Sequence, residues 1–108
     1  MATGRLGAFS PNATTNTTIY TVPVDTFAVV SLSIANRNAS VATVQIALTT
    51  SDTPAANGSE YLEYNSIIQG NGAFERTGIV MAAGQKLVVY SSLASVSVVA
   101  YGIETSTL

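Results

Sequence analysis

The chain contains no cysteine and no histidine, and only 9% of its 108 residues are charged. Without cysteine there can be no disulfide staple, no thiolate nucleophile and no thiolate metal ligand. Without histidine the commonest general base and the commonest metal ligand are missing, so a Ser-His-Asp arrangement cannot be built. Lys86 is the sole lysine left as an alternative base, and the Gly84-Gln85-Lys86 stretch around it resembles no nucleophile site. The four basic residues, Arg5, Arg37, Arg76 and Lys86, are scattered, and the net charge is -2. They form no cationic patch able to release counterions from a phosphate backbone, so nucleic acid is not an expected partner. Glycines 70, 72, 78 and 84 lack the spacing of a phosphate-cradling loop that opens a helix. No apolar run approaches the roughly 20 residues of a membrane span, and "MATGRLGAFS" has no continuous apolar segment of the signal-peptide kind. The expectation is a soluble, unexported chain with no membrane partner, no cofactor, no metal and no enzymatic activity.

Low charge also describes the surface. An average soluble domain carries about 25% charged residues. Here Ser, Thr, Asn and Gln must cover most of the outside, and they lose less side-chain entropy on immobilisation than Lys, Glu or Arg, which lose up to about 2 kcal/mol. Such a surface reads as one made to be packed against other molecules. The same abundance of Asn, Ser and Thr generates four sugar-acceptor triplets, at Asn12, Asn16, Asn38 and Asn57. Without an export signal these read as chance products of composition.

Hydrophobic periodicity is two throughout, not 3.6. In "TFAVVSLSIAN" Val30, Leu32 and Ile34 alternate with Ser31 and Ser33, and in "VATVQIALTT" Val44, Ile46 and Leu48 alternate with Thr43, Gln45 and Thr49. The polar "NRNAS" between them reads as a turn, so the two strands are expected to form a hairpin. An earlier strand over residues 18–22 ends at Pro23, which cannot donate to a ladder and suits an edge or a strand end. Residues 51–60 gather Pro, Gly, Asn and Asp into the longest loop, and a strand is expected over residues 61–68. Beyond the "QGNG" turn come Phe74, Ile79 and Met81, with Gly78 marking a bulge. Strands "KLVVYSS" and "SVSVVAYGIE" close the chain. The expected fold class is all-β: one antiparallel β-sandwich or barrel, jelly-roll or Ig-like, of about eight short strands over residues 18–108. Residues 1–17, with Gly4, Gly7 and Pro11 and no alternation, are expected to form an extended N-terminal arm.

Four side-chain groups invite a chemical reading. Glu60 and Glu63 could be a carboxylate pair for glycoside hydrolysis, but positions three apart on a strand face opposite ways, which favours solvated charges. Asp52, Asn57 and Glu60 could offer oxygens to calcium, yet two carboxylates in this spacing match no calcium loop. Tyr20, Tyr61, Tyr64, Tyr90 and Tyr101 could in part form a sugar-stacking platform, although strand tyrosines mostly serve packing. Arg5, Leu6 and Phe9 in the arm, and Arg37 in the turn, are the candidates for contact with a partner surface.

Four short stretches carry a family resemblance: a Thr-rich segment closing on Tyr20-Thr21-Val22-Pro23, the Asn36-Arg37 turn, the strand Val44-Gln45-Ile46-Ala47, and the terminal Gly102-Ile103-Glu104. In these, across nearly its full length, the chain resembles small structural proteins of tailed bacteriophages. The "GRLGAF" start and the loop around Pro54 depart from that pattern. The resemblance implies a virion component, a capsid decoration or cement protein on the outer capsid surface, or else a tail, neck or fibre module, for which the tyrosines suggest host-glycan binding. It implies the major capsid protein as partner, bridged across its subunits; closed symmetry then favours a small ring of copies of this chain, expected to be a trimer. It brings no catalytic residues with it.

Overall fold

A computed structural model describes residues 3–55 and 57–108. Eight strands follow in order: β1 (Thr3–Phe9), β2 (Thr17–Thr21), β3 (Thr26–Asn36), β4 (Ala42–Thr49), β5 (Tyr61–Ile68), β6 (Ala73–Met81), β7 (Lys86–Ser91) and β8 (Val96–Ser106). They form two four-stranded sheets, β1-β8-β3-β6 and β2-β7-β4-β5. Every pairing is antiparallel, and the pairs nest: β1 with β8, β2 with β7, β3 with β6, β4 with β5. The chain is therefore one long hairpin with its apex between β4 and β5, rolled so that β3 lies beside β8 and β4 beside β7. This is the connectivity of a jelly roll, which settles the choice between the two sandwich types.

Alternation builds the layers. Along β3 the even-numbered residues from Thr26 to Asn36 are buried and the odd-numbered ones face outward. Val30, Leu32 and Ile34 meet Val44 and Ile46 from β4, Leu87 and Val89 from β7, and Val96 and Val98 from β8 in one apolar core. Each sheet has only one face able to join that core, so the two must stack.

Two expectations change here. "NRNAS" does not close a hairpin: β3 pairs with β8 and β6, whereas β4 pairs with β5 and β7 in the other sheet. The segment is a crossover, and buried Asn36 pins it. Its amide donates to the carbonyls of Ser40, Ile68 and Gln69, and its Oδ1 accepts from the Asn38 backbone N–H. Two strands with one apolar face each can bury those faces by pairing in one sheet or by stacking in two, and alternation is the same in both cases.

The extended N-terminal arm is also absent. Thr3–Phe9 is the edge strand β1, paired with β8, and residues 10–16 link it to β2 under a bond from the Thr14 N–H to the Ser91 carbonyl. Of the expected arm, Met1 and Ala2 lie outside the described residues. Alternation fails in "TGRLGAF" because the strand is bulged between Arg5 and Gly7, where two residues stand against one step of β8. At Gly7 the first sheet comes so close to the second that a Cβ would run into the Ile19 carbonyl oxygen. Gly7→Ala should therefore cost about 1–3 kcal/mol through overpacking. Its signature is faster hydrogen exchange at the β1 amides, with β4 and β7 still protected.

Both open sides of the sandwich are bridged. Beside β1 and β2, the buried Tyr20 hydroxyl donates to the Glu104 carboxylate across the sheets; burial first, and that carboxylate second, push the phenol pKa up. On the far side Gly78, at φ 72°, sits in a bulge of β6 that shifts the register between Ile79 and Arg76. Arg76 then reaches Glu63 of β5 at 2.5 Å. Hydrogen bonding from Ser66, followed by Arg76, holds the Glu63 carboxyl below the usual carboxylate range. A carboxylate whose pKa falls on folding adds stability above its unfolded pKa and loses it as pH drops through the folded value. Because the pair is partly exposed, the contribution is about 1 kcal/mol or less. Urea midpoints of the parent and of Glu63→Gln should differ at pH 6 and converge only as pH falls below the ordinary carboxylate range.

Candidate functional site

The outer face of the first sheet carries an uncovered apolar row. Val80 on β6 pairs with Val29 on β3, and Val29 pairs with Ile103 on β8, so the three stand side by side across three strands. Their exposures are 65%, 41% and 55%, and Phe27, two residues along β3, is 39% exposed. Adjacent strands lie about 4.8 Å apart, so the row is a continuous strip about 10 Å wide. A polar crossbar ends it: Tyr101 reaches over β3 and donates to Glu75 at 2.6 Å, and Arg5 stands opposite Tyr101 on β1. The Glu75 carboxylate holds the Tyr101 proton and raises that phenol's pKa. With strands of 7, 11, 11 and 9 residues, the whole face covers about 600 Å². That is about three-quarters of the roughly 800 Å² that each partner contributes to a standard interface.

The second sheet is covered differently. Ala47 and Val88 pair with each other and alternate with core residues, yet both are only 1% exposed. The start of the connection from β4 to β5 is tied to the same sheet. Asp52 accepts from the Thr18 hydroxyl at 2.6 Å and lies 3.6 Å from Lys86 Nζ, and Pro54 is buried. The Thr18 hydrogen bond and then Lys86 lower the Asp52 pKa. Where this loop meets β5 it borders a cleft of about 440 Å³, lined by Pro54, Ala55, Asn57, Gly58, Tyr61 and Tyr64.

Of the residues expected to contact a partner, Arg5 lies on the same face as the apolar row. Leu6 packs against the core, and Phe9 pairs with Val98 at the exposed edge of the sandwich. Arg37 donates to the Ser10 hydroxyl at 2.8 Å, which puts it next to Phe9. Arg5 and Phe9 are four residues apart on one strand, about 13 Å, so the four candidates do not converge on one point. Glu60 caps the loop by accepting from the Ala55 N–H, while Glu63 serves the Arg76 bridge, so they hold different elements. Asp52, Asn57 and Glu60 each accept from a different donor, and among the described residues no three His, Cys, Asp or Glu gather as metal ligands. Asn38, within one of the acceptor triplets, has its side-chain amide engaged by Asn36 Oδ1 and the Ala94 carbonyl.

No protein-family model, curated protein or solved structure matches this chain. The apolar row escaped a reading based on alternation alone. Its trace in the sequence is the unbroken run Phe27-Ala28-Val29-Val30, in which both faces of the strand are apolar, repeated at Ile79-Val80-Met81. A strand buried on two faces reads as a continuous apolar run.

Proposed function

We propose that this chain is a structural protein of a tailed-phage virion, a capsid decoration protein that lies on the outer coat surface and bridges subunits of the major capsid protein. The observation that carries the reading is the open row of Val80, Val29 and Ile103, with Phe27, on a face that offers most of the area of a standard interface. The charge-poor remainder of the surface and the resemblance in the Tyr20-Thr21-Val22-Pro23 and Gly102-Ile103-Glu104 stretches support it. Jelly rolls recur in viral capsid proteins and in lectins, a fold-level analogy that agrees with the reading without establishing it. A domain that binds two neighbouring coat subunits only while they are joined stabilises the joint by its own binding free energy, as any ligand of one state stabilises that state.

Cryo-electron microscopy and subunit stoichiometry of purified particles test the proposal. A jelly-roll density on the outer head surface, with its first sheet towards the coat, is the expected result. Finding the protein only in tails, necks or fibres overturns the placement, and finding it in no particle overturns the virion assignment.

A further inference from the structure

We infer that the cleft between the β4–β5 loop and β5 is a binding site for a neutral saccharide. The first argument is that its aromatic wall is specially made. Tyr61 and Tyr64 are three apart on a strand and in regular geometry would face opposite ways. Their rings nevertheless meet edge to face, with centroids 5.0 Å apart and planes at 75°. The cause is a pair of register shifts in β5, between the partners of Val44 and Ile46 and again between those of Ile46 and Ala47, with Asn65 at φ 55° beside them. Bulges of this kind re-aim side chains and are over-represented at sheet edges, where β5 lies, and next to active sites. Tyr64 is left 63% exposed, far more than core or cross-strand packing requires.

The described residues of the facing wall are hydrogen-bonded to the rest of the loop. The Ala55 N–H donates to Glu60 at 2.7 Å and the Gly58 N–H to the Ala55 carbonyl at 3.0 Å, while Asp52 ties the loop's start to β2 and β7. Asn57 Oδ1 accepts from the Ser59 N–H at 3.0 Å, which orients the amide and leaves its NH2 group to donate elsewhere. Each group so tied loses less freedom on binding a ligand.

The chemistry of the lining selects the ligand class. A tyrosine ring offers a flat apolar face with a hydroxyl at its tip, suited to the C–H face of a pyranose and its equatorial hydroxyls. The Asn57 amide and two phenols supply neutral hydrogen-bonding groups. Among the described residues no charged side chain lines the cleft, so none there would recognise a phosphate, sulfate or carboxylate. Its volume falls within the ordinary range for small-ligand sites, about 300–1,000 Å³. The cleft lies on the second-sheet side, away from the apolar row. On the decoration reading it would face outward from the particle, and that one consequence rests on the reading; saccharide binding itself does not.

The test uses the full isolated chain, so a negative result on shells leaves it untouched. Neutral hexose and N-acetylhexosamine oligosaccharides, and their sialylated or sulfated counterparts, are titrated while backbone amide shifts are recorded by NMR. Shifts confined to Ala55, Asn57, Gly58, Tyr61, Tyr64 and their neighbours are expected with the neutral sugars. Tyr64→Ala should weaken binding about tenfold, whereas Tyr64→Phe, which keeps the ring, should stay within about threefold. Because Tyr64 is exposed, both variants should keep the parent's amide spectrum elsewhere. No shifts with any neutral sugar at about 10 mM, binding of only the anionic sugars, or binding unchanged in Tyr64→Ala would each overturn the inference.

Discussion

A Val80→Glu, Ile103→Lys double variant is expected to drop off the shell while keeping its fold. Both side chains flank Val29 in the outer row of the first sheet, and neither belongs to the inter-sheet core. Fully burying an aliphatic side chain at an interface contributes about 1.5–3 kcal/mol, and leaving an unpaired charge there costs more. Together the changes should lower affinity for the coat by more than about 100-fold, equivalent to roughly 3 kcal/mol. The opposite signs leave net charge unchanged, so long-range repulsion would not account for the loss. Substitutions at exposed positions usually change stability by about 0.5 kcal/mol, with up to about 1 kcal/mol added by strand propensity, so the melting temperature should move only a few degrees. The measurements are occupancy on reconstituted heads and thermal unfolding of the free protein. Full occupancy of the double variant would remove this face from the interface.

The largest effect on stability is expected from Leu32→Ala. Leu32 sits mid-way along β3, opposite Ala100 of β8 and Arg76 of β6, and has no exposed surface. Leucine truncations at such sites cost about 2–5 kcal/mol, because the transfer free energy is lost and a cavity remains. For a domain near 100 residues each kcal/mol shifts the midpoint by about 4–8 °C, so a fall of more than about 10 °C is expected in a thermal melt. Val29→Ala, three residues away on the same strand but on the outer face, should cost less than about 1 kcal/mol in the free chain. Equal costs at the two positions would mean that the outer face of the first sheet is already covered in solution, and the docking proposal would fail with it.

These two variants also mark how far the sequence could be read. Leu32 was identifiable as core because Ser31 and Ser33 flank it, and the strand placed over residues 61–68 coincides with β5. The Pro23 stop suits β2, which lies at a sheet edge, and Gly78 does mark a bulge. Residues 3–9 were not legible as a strand, since a bulge and two glycines erase the alternation, and their pairing with β8 joins opposite ends of the chain. Nor was the Tyr61–Tyr64 contact legible, because a three-residue spacing implies opposite faces unless the register slips, and that slip is set against β4. The Arg76–Glu63 bridge depends in the same way on a bulge that turns Arg76 towards the other sheet.

Composition and period-two patterning were enough to determine an all-β chain of about eight strands, without thiol or imidazole chemistry and with little ionic surface. Those properties are local: each follows from residue type or from the spacing of immediate neighbours. Which strands pair, which sheet each joins, and what remains uncovered were decided only by tertiary structure. Backbone hydrogen bonds are identical from strand to strand and carry no address, so the nested jelly-roll pairing, the open row around Val29 and the tyrosine cleft emerge only when apolar faces from distant parts of the chain are buried together.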